Sequence, residues 1–196
     1  IPIIYDIEED EEYLCIIEEY VSGESLAEYV RNNSPMKLSQ ICDFGIQICK
    51  ILEYLHECTK ENSENKAVLH LDLKPENVMV SEISAEGVPR CIRLIDYDNA
   101  VVEGSGRSMY TGSKGFAAPE QYHRLYPEKT ADIYGIGILL MYMSESGHIQ
   151  SGVKTLRNKN LKKIIMKCIR HNPVRRYENA GKVRKGLQKI LKNETK

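Results

Sequence analysis

The sequence predicts an α+β fold, a mostly α-helical body that carries one short β-hairpin. Three observations predict it. LSQICDFGIQICKILEYLHE at 38 to 57 places Ile41, Phe44, Ile48, Ile51 and Leu55 on one stripe, the pattern of a long helix with one buried face. TADIYGIGILLMYM at 130 to 143 is apolar almost all round, which fits a helix buried in the centre of the body. VMV directly after Asn77 and CIRLID ending on Asp96 flank a turn-rich stretch with Gly87 and Pro89, and read as a hairpin with a functional residue at each outer end.

The other elements follow in chain order. YLCIIEEYVSGESLAEYV at 13 to 30 reads as a strand, a Ser-Gly turn and a helix, and the polar TKENSENK at 59 to 66 as a loop. After 143, SESGHIQSGVKTLRN holds little apolar periodicity. LKKIIMKCIR and KVRKGLQKILK then combine helical spacing with recurring Lys and Arg, which predicts two amphipathic helices whose cations face water.

Composition sets the outer bounds. At 196 residues and 42% hydrophobic, the chain can bury a sizeable core as a single soluble domain. A formal charge of −1 gives no electrostatic reason to expect nucleic acid or an anionic membrane as partner, and no motif fixes an oligomeric state. The first residues are acidic rather than signal-like, and the apolar run at 133 to 143 is far short of the roughly 20 residues that a bilayer span requires. The six cysteines lack a Cys-x-x-Cys pair, so reduced thiols in a cytoplasmic protein, or in the cytosolic part of a longer membrane-anchored one, are the simplest expectation.

The residues at the ends of the hairpin name a reaction class. In HLDLKPENVMV, Asp72 precedes the first strand by a short loop, so Asp72, Asn77 and Asp96 can converge on one small volume. An Asp carboxylate and an Asn carbonyl are oxygen ligands of the kind that hard Mg²⁺ prefers, which suits Asp96 and Asn77 to a metal beside a nucleoside triphosphate. A second carboxylate, Asp72, suits the orientation and deprotonation of a hydroxyl acceptor. Lys74 brings a cation that can stabilise charge on a transferring phosphoryl group.

These motifs resemble the core of protein kinases, whose signature runs H-R-D-L-K-P-E-N and then D-F-G. The Lys-Pro-Glu insert resembles the serine/threonine branch. Further landmarks resemble the family in order: GSKGFAAPEQY at 112 to 122, with Ala118, Pro119 and Glu120 closing an activation segment; Asp132 in the buried helix, anchoring the catalytic loop; and HNPVRRY at 171 to 177, with Arg176 paired to Glu120. The resemblance implies ATP and Mg²⁺ as cofactors and a protein substrate with a Ser or Thr hydroxyl. It assigns catalysis to Asp72, Lys74 and Asn77, metal to Asn77 and Asp96, and nucleotide contacts to Lys74, Asn77, Asp96 and the hinge. There Glu19 and Val21 offer a backbone carbonyl and an N–H to the adenine edge.

By the same resemblance IPIIYDIEEDEEYLCIIEEY corresponds to the last two small-lobe strands, so that 1–21 is a remnant of the small lobe with the hinge and 22–196 is the large lobe of a partial kinase domain. No glycine-rich loop or strand lysine precedes it. The expectation is therefore a fragment of a longer reading frame or a protein without a nucleotide clamp, and a chain that alone binds nucleotide weakly and transfers no phosphoryl group.

Several positions depart from the family pattern. Leu71 replaces the Arg that ordinarily meets an activation-loop phosphate, Tyr97 replaces Phe and adds a hydroxyl, Asp98 replaces Gly, and Glu18 stands at the gatekeeper position. His70 and Ser113 read as structural support, and Ser108, Tyr110 and Thr111 are phosphoacceptor candidates by position only. The weakly patterned stretch after 143 leaves the substrate-docking surface in question. A pseudokinase or nucleotide-binding scaffold, and a small-molecule phosphotransferase of the same fold, are the alternatives. The second lacks an activation-segment anchor like that formed by Glu120 and Arg176.

Overall fold

The structure, a computed structural model, describes residues 1–10, 12–57, 66–81, 91–105, 112–123, 128–149 and 156–194. The loop expected at 59 to 66 falls almost entirely outside them, as do Gly87, Pro89, Arg107, Ser108, Tyr110, Thr111 and much of the stretch after 143.

The chain opens with an antiparallel pair, β1 (Ile4–Glu9) and β2 (Leu14–Glu18). Both strands are exposed along their whole length, with Ile4, Tyr5, Ile7, Leu14, Ile16 and Ile17 open to solvent. After β2, a short β3 (Glu24–Ser25) leads into α1 (Leu26–Asn33), which starts at Ser25 through a reciprocal cap: the Ser25 hydroxyl accepts from the Glu28 N–H and the Glu28 carboxylate accepts from the Ser25 N–H.

The body is helical, as the periodicity predicts. α2 (Leu38–Glu57) buries Ile41, Phe44, Ile48 and Leu55 of the expected stripe, with Ile51 partly buried beside them. α3 (Lys129–Ser144) is buried on nearly every side, so its apolar surround is an inner helix and not a surface stripe. The two amphipathic C-terminal helices are α4 (Lys159–Cys168), capped by the Asn158 side chain, and α5 (Ala180–Glu194). Leu161, Ile164, Val183 and Leu187 join the core formed by α2 and α3.

Small sheets hold the loops. β4 (Val68–Leu69) pairs with β7 (Val101–Val102), and β5 (Val78–Ser81) pairs with β6 (Cys91–Leu94) in the predicted antiparallel hairpin. β3 adds to the far edge of β5, which fastens the segment after β2 to the body. The second hairpin strand stops at Leu94, short of the expected end at Asp96. Asp96 has φ 62°, a left-handed turn that cannot continue a strand and that Asp tolerates better than most residues.

One contact in this body is unusually close. A Cβ built on Gly137 would stand 2.5 Å from Cys168 Cβ and 2.7 Å from Ile169 Cγ2, so α3 and the end of α4 meet nearly backbone to backbone. Ala favours helix over Gly by about 1 kcal/mol, but overpacking a filled core costs about 1–3 kcal/mol. Gly137→Ala should therefore lower stability or leave it level, never raise it by the propensity difference. Urea midpoints of the two proteins check this.

Candidate active site

The site grows from a buried carboxylate in the first turn of α3. Asp132 is 1% exposed and accepts three hydrogen bonds: from the backbone N–H of His70 at 3.0 Å, from that of Leu71 at 2.9 Å and from the His56 ring at 2.9 Å. Burial raises its pKa, yet these donors outweigh burial and hold the carboxyl below the usual carboxylate range. The loop 70–77 is thereby fixed at its start, and Leu71 is held at φ 63°, a conformation strained for a branched apolar residue.

The next residue is Asp72, buried at 3% exposure. Its two oxygens face different partners: Lys74 Nζ donates to Oδ2 at 2.8 Å, while Ser113 donates to Oδ1 from its hydroxyl at 2.8 Å and its backbone N–H at 3.0 Å. Burial pushes this carboxyl up, but the bonds from Lys74 and Ser113 bring it below its ordinary value, so it is ionised at neutral pH. Lys74 is shifted upward in turn, first by its hydrogen bond to Asp72. Ser113 and Lys74 thus take separate oxygens of one carboxylate.

A one-turn 3₁₀ helix, Pro75–Asn77, returns the chain to the site. Asn77 Nδ2 donates to the Asp72 carbonyl at 3.1 Å and to Asp72 Oδ2 at 3.2 Å, which leaves Oδ1 as the atom for a cation. Asp96 lies within 3.9 Å of Lys74 Nζ, and its side chain is 36% exposed. Asp72, Lys74, Asn77 and Asp96 therefore gather as the sequence implies. The Asn77 side-chain carbonyl, not used in those bonds, and the partly exposed Asp96 carboxylate are hard oxygen donors of the kind that suits a Mg²⁺ that keeps several of its own waters.

Glu19 and Val21 stand apart from that group, between β2 and β3. The Glu19 carboxylate, needed only as backbone in the sequence reading, forms a two-pronged pair with Arg93 of β6 at 2.6 Å on each oxygen. The Arg93 hydrogen bond is the main reason that its pKa falls to about 2. Among the described residues, the Glu19 carbonyl and the Val21 N–H have no hydrogen-bond partner. A cleft of about 630 Å³ lies against Glu19, Val21, Ser81, Ile92 and Arg93, but Asp72, Lys74, Asn77 and Asp96 do not line it. It is not where the clustered chemistry sits.

The departures find distinct settings. Leu71 is buried with Ala67, Leu69, Ala118 and Ala131. Tyr97 packs its ring on His70, centroids 4.8 Å apart, while its hydroxyl and His70 Nε2 are buried with no hydrogen-bond partner among the described residues. Burial raises the Tyr97 pKa and lowers that of His70, which keeps both neutral. Asp98 and Glu18 are exposed and so hydrated. Three residues escaped the sequence reading: His56, Arg93 and Gln121. Only Gln121 carried a local signal, as a polar residue directly after Glu120.

Arg176 is almost wholly spent on anchoring. Its guanidinium meets Glu120 at 2.5 and 2.7 Å and also donates to the carbonyls of Thr130, Arg170 and His171, with Tyr134 beneath it. Both partners are buried. Removing one strands the other charge, so Arg176→Ala should cost about 3–5 kcal/mol. A melting temperature within a degree or two of the parent would show that the pair bears no load.

Comparison with known proteins gives the same outline. Residues 1–195 match the family described as protein kinase domain. The chain is 27% identical, over 97% of its length, to a probable serine/threonine-protein kinase of Clostridium acetobutylicum, of which it covers 30%. It is 26% identical, over 90% of its length, to the serine/threonine-protein kinase PrkC of Bacillus subtilis, of which it covers 29%. The chain thus spans about three tenths of the length of these relatives. With the family matched along nearly the whole sequence and the motif residues gathered around one carboxylate, the chain belongs to the protein kinase domain family.

Proposed function

We propose that this domain serves a serine/threonine protein kinase that transfers the γ-phosphoryl group of ATP to hydroxyls of protein substrates, with 1–21 as hinge and small-lobe strands and 22–196 as the large lobe. The observation that carries the reading is the doubly held Asp72 carboxylate, ionised and buried, with Lys74 on one oxygen and Ser113 on the other.

Asp72 orients the substrate hydroxyl and takes its proton as the new P–O bond forms. Lys74 neutralises charge that develops on the phosphoryl oxygens, already placed by its bond to Asp72. Asn77 Oδ1 and the Asp96 carboxylate would hold Mg²⁺. When bound, the metal and its nucleotide supply the activated phosphoryl group and screen its charge. The unpaired Glu19 carbonyl and Val21 N–H suit an adenine edge, and the Glu19–Arg93 pair keeps that stretch against β6. The ion pair of Glu120 with Arg176 favours a protein kinase over a small-molecule phosphotransferase, because it ties down the segment beside Asp72 on which a protein substrate would lie.

In the full-length protein, Asp72→Asn should lower phosphoryl transfer by about 10² to 10⁴, with ATP affinity nearly unchanged. Nucleotide titration and a phosphotransfer assay on the same samples test it. A fully active mutant contradicts the assignment, and a parent that binds nucleotide without transfer favours the scaffold reading. Leu71 yields a second expectation: phosphatase treatment should leave the rate unchanged, since an apolar side chain stands where an arginine would receive a phosphate. A large loss of activity on dephosphorylation would mean that another cation serves.

A further inference from the structure

The peptide between Leu71 and Asp72 sets the direction in which the Asp72 carboxylate points. Its N–H makes only a long contact with His70 Nδ1, at 3.4 Å. Its carbonyl accepts a short hydrogen bond, 2.9 Å, from Nε2 of Gln121, fifty positions away. The other end of the same carboxamide accepts from the Ala118 N–H at 2.9 Å, and Gln121 is buried at 4% exposure. Both ends of one side chain therefore bridge the end of the activation segment to the residue before the proposed base.

The surroundings are shaped around this bridge. Leu71 holds φ 63°, so the 71–72 peptide needs restraint on both flanks, with Asp132 on the Leu71 N–H and Gln121 on its carbonyl. Gly112 has φ 105°, and a Cβ there would stand 2.9 Å from Gln121 Nε2 and 3.0 Å from the Leu71 oxygen. Glycine leaves room for the bond. Ser113, next in the chain, makes two of the bonds to Asp72.

We propose, resting on the kinase reading above, that Gln121 is a positioning residue for phosphoryl transfer: through the Leu71 carbonyl it orients Asp72 and couples the activation segment to the catalytic loop permanently. An arginine at 71 would make that connection through an added phosphate. Here a neutral carboxamide makes it with nothing but the chain, and the apolar packing of Leu71 against Ala118 closes the same gap.

Gln121→Glu keeps the shape and the acceptor for Ala118 but, when ionised, loses the donor to Leu71. Gln121→Leu loses both. In the full-length protein both variants should keep KM for ATP and for a protein substrate near the parent values, since Gln121 is buried, while kcat drops about tenfold to a hundredfold, the range that a small misplacement of a catalytic group produces. Lowering the pH should restore Gln121→Glu relative to Gln121→Leu, because a protonated carboxyl can again donate to the Leu71 carbonyl. Hydrogen exchange should speed up in both variants at the Leu71 to Leu73 amides, with the helical core unchanged. Parental kcat together with parental exchange in both variants overturns the proposal while leaving the kinase reading intact. A parent that transfers no phosphoryl group overturns both.

Discussion

The buried carboxylate of Asp132 is the constraint on which the rest of the site depends. A loop that crosses a protein interior must find partners for its backbone N–H groups, since a stranded donor costs about 1–3 kcal/mol. At His70 and Leu71 no strand or helix provides them, and one side chain from α3 does. The helix that contributes it is the most completely buried in the body, so the carboxylate sits in a frame with little freedom to move. Asp72 inherits that rigidity. Lys74, Asn77 and Ser113 then refine its position through five further hydrogen bonds within 3.2 Å, four of them to the carboxylate.

A second constraint closes the site from the other side. Glu120 and Arg176 fix the end of the activation segment to the loop before α5, and the backbone carbonyls around Arg176 absorb its remaining donors. Such a buried pair is costly to desolvate and gives little net stability. Its value lies in register: it decides where Ala118 and Gln121 stand, and they meet the loop that Asp132 holds. The site is therefore the junction of two anchored segments, each tied to a different part of the helical body.

Much of this was legible in the sequence, for physical reasons that differ by element. The stripe of α2 and the all-round apolar α3 follow from periodicity, because a buried face leaves its spacing in the chain. Asp72, Lys74, Asn77 and Asp96 were named from residue chemistry in the loop before one hairpin and at that hairpin's outer ends. The partners of these groups were not legible in the same way. His56 reaches Asp132 across 76 positions and Arg93 reaches Glu19 across 74, and no local pattern marks either pair. The left-handed turn at Asp96 also escaped, because an apolar run ending in Asp reads as strand to its last residue. Gln121 shows the limit most clearly, since only the fold reveals that both ends of its carboxamide are used.

The account stands on Asp72, Asn77 and Asp96 serving one phosphoryl-transfer site. A crystal structure of the full-length protein with Mg²⁺ and a non-hydrolysable ATP analogue tests that most directly. The account predicts a metal about 2.1 Å from Asn77 Oδ1 and from an Asp96 oxygen, the terminal phosphate beside Lys74, and the adenine edge against the Glu19 carbonyl and the Val21 N–H. A nucleotide bound elsewhere, or a metal that leaves Asn77 and Asp96 without a shared ion, would contradict it.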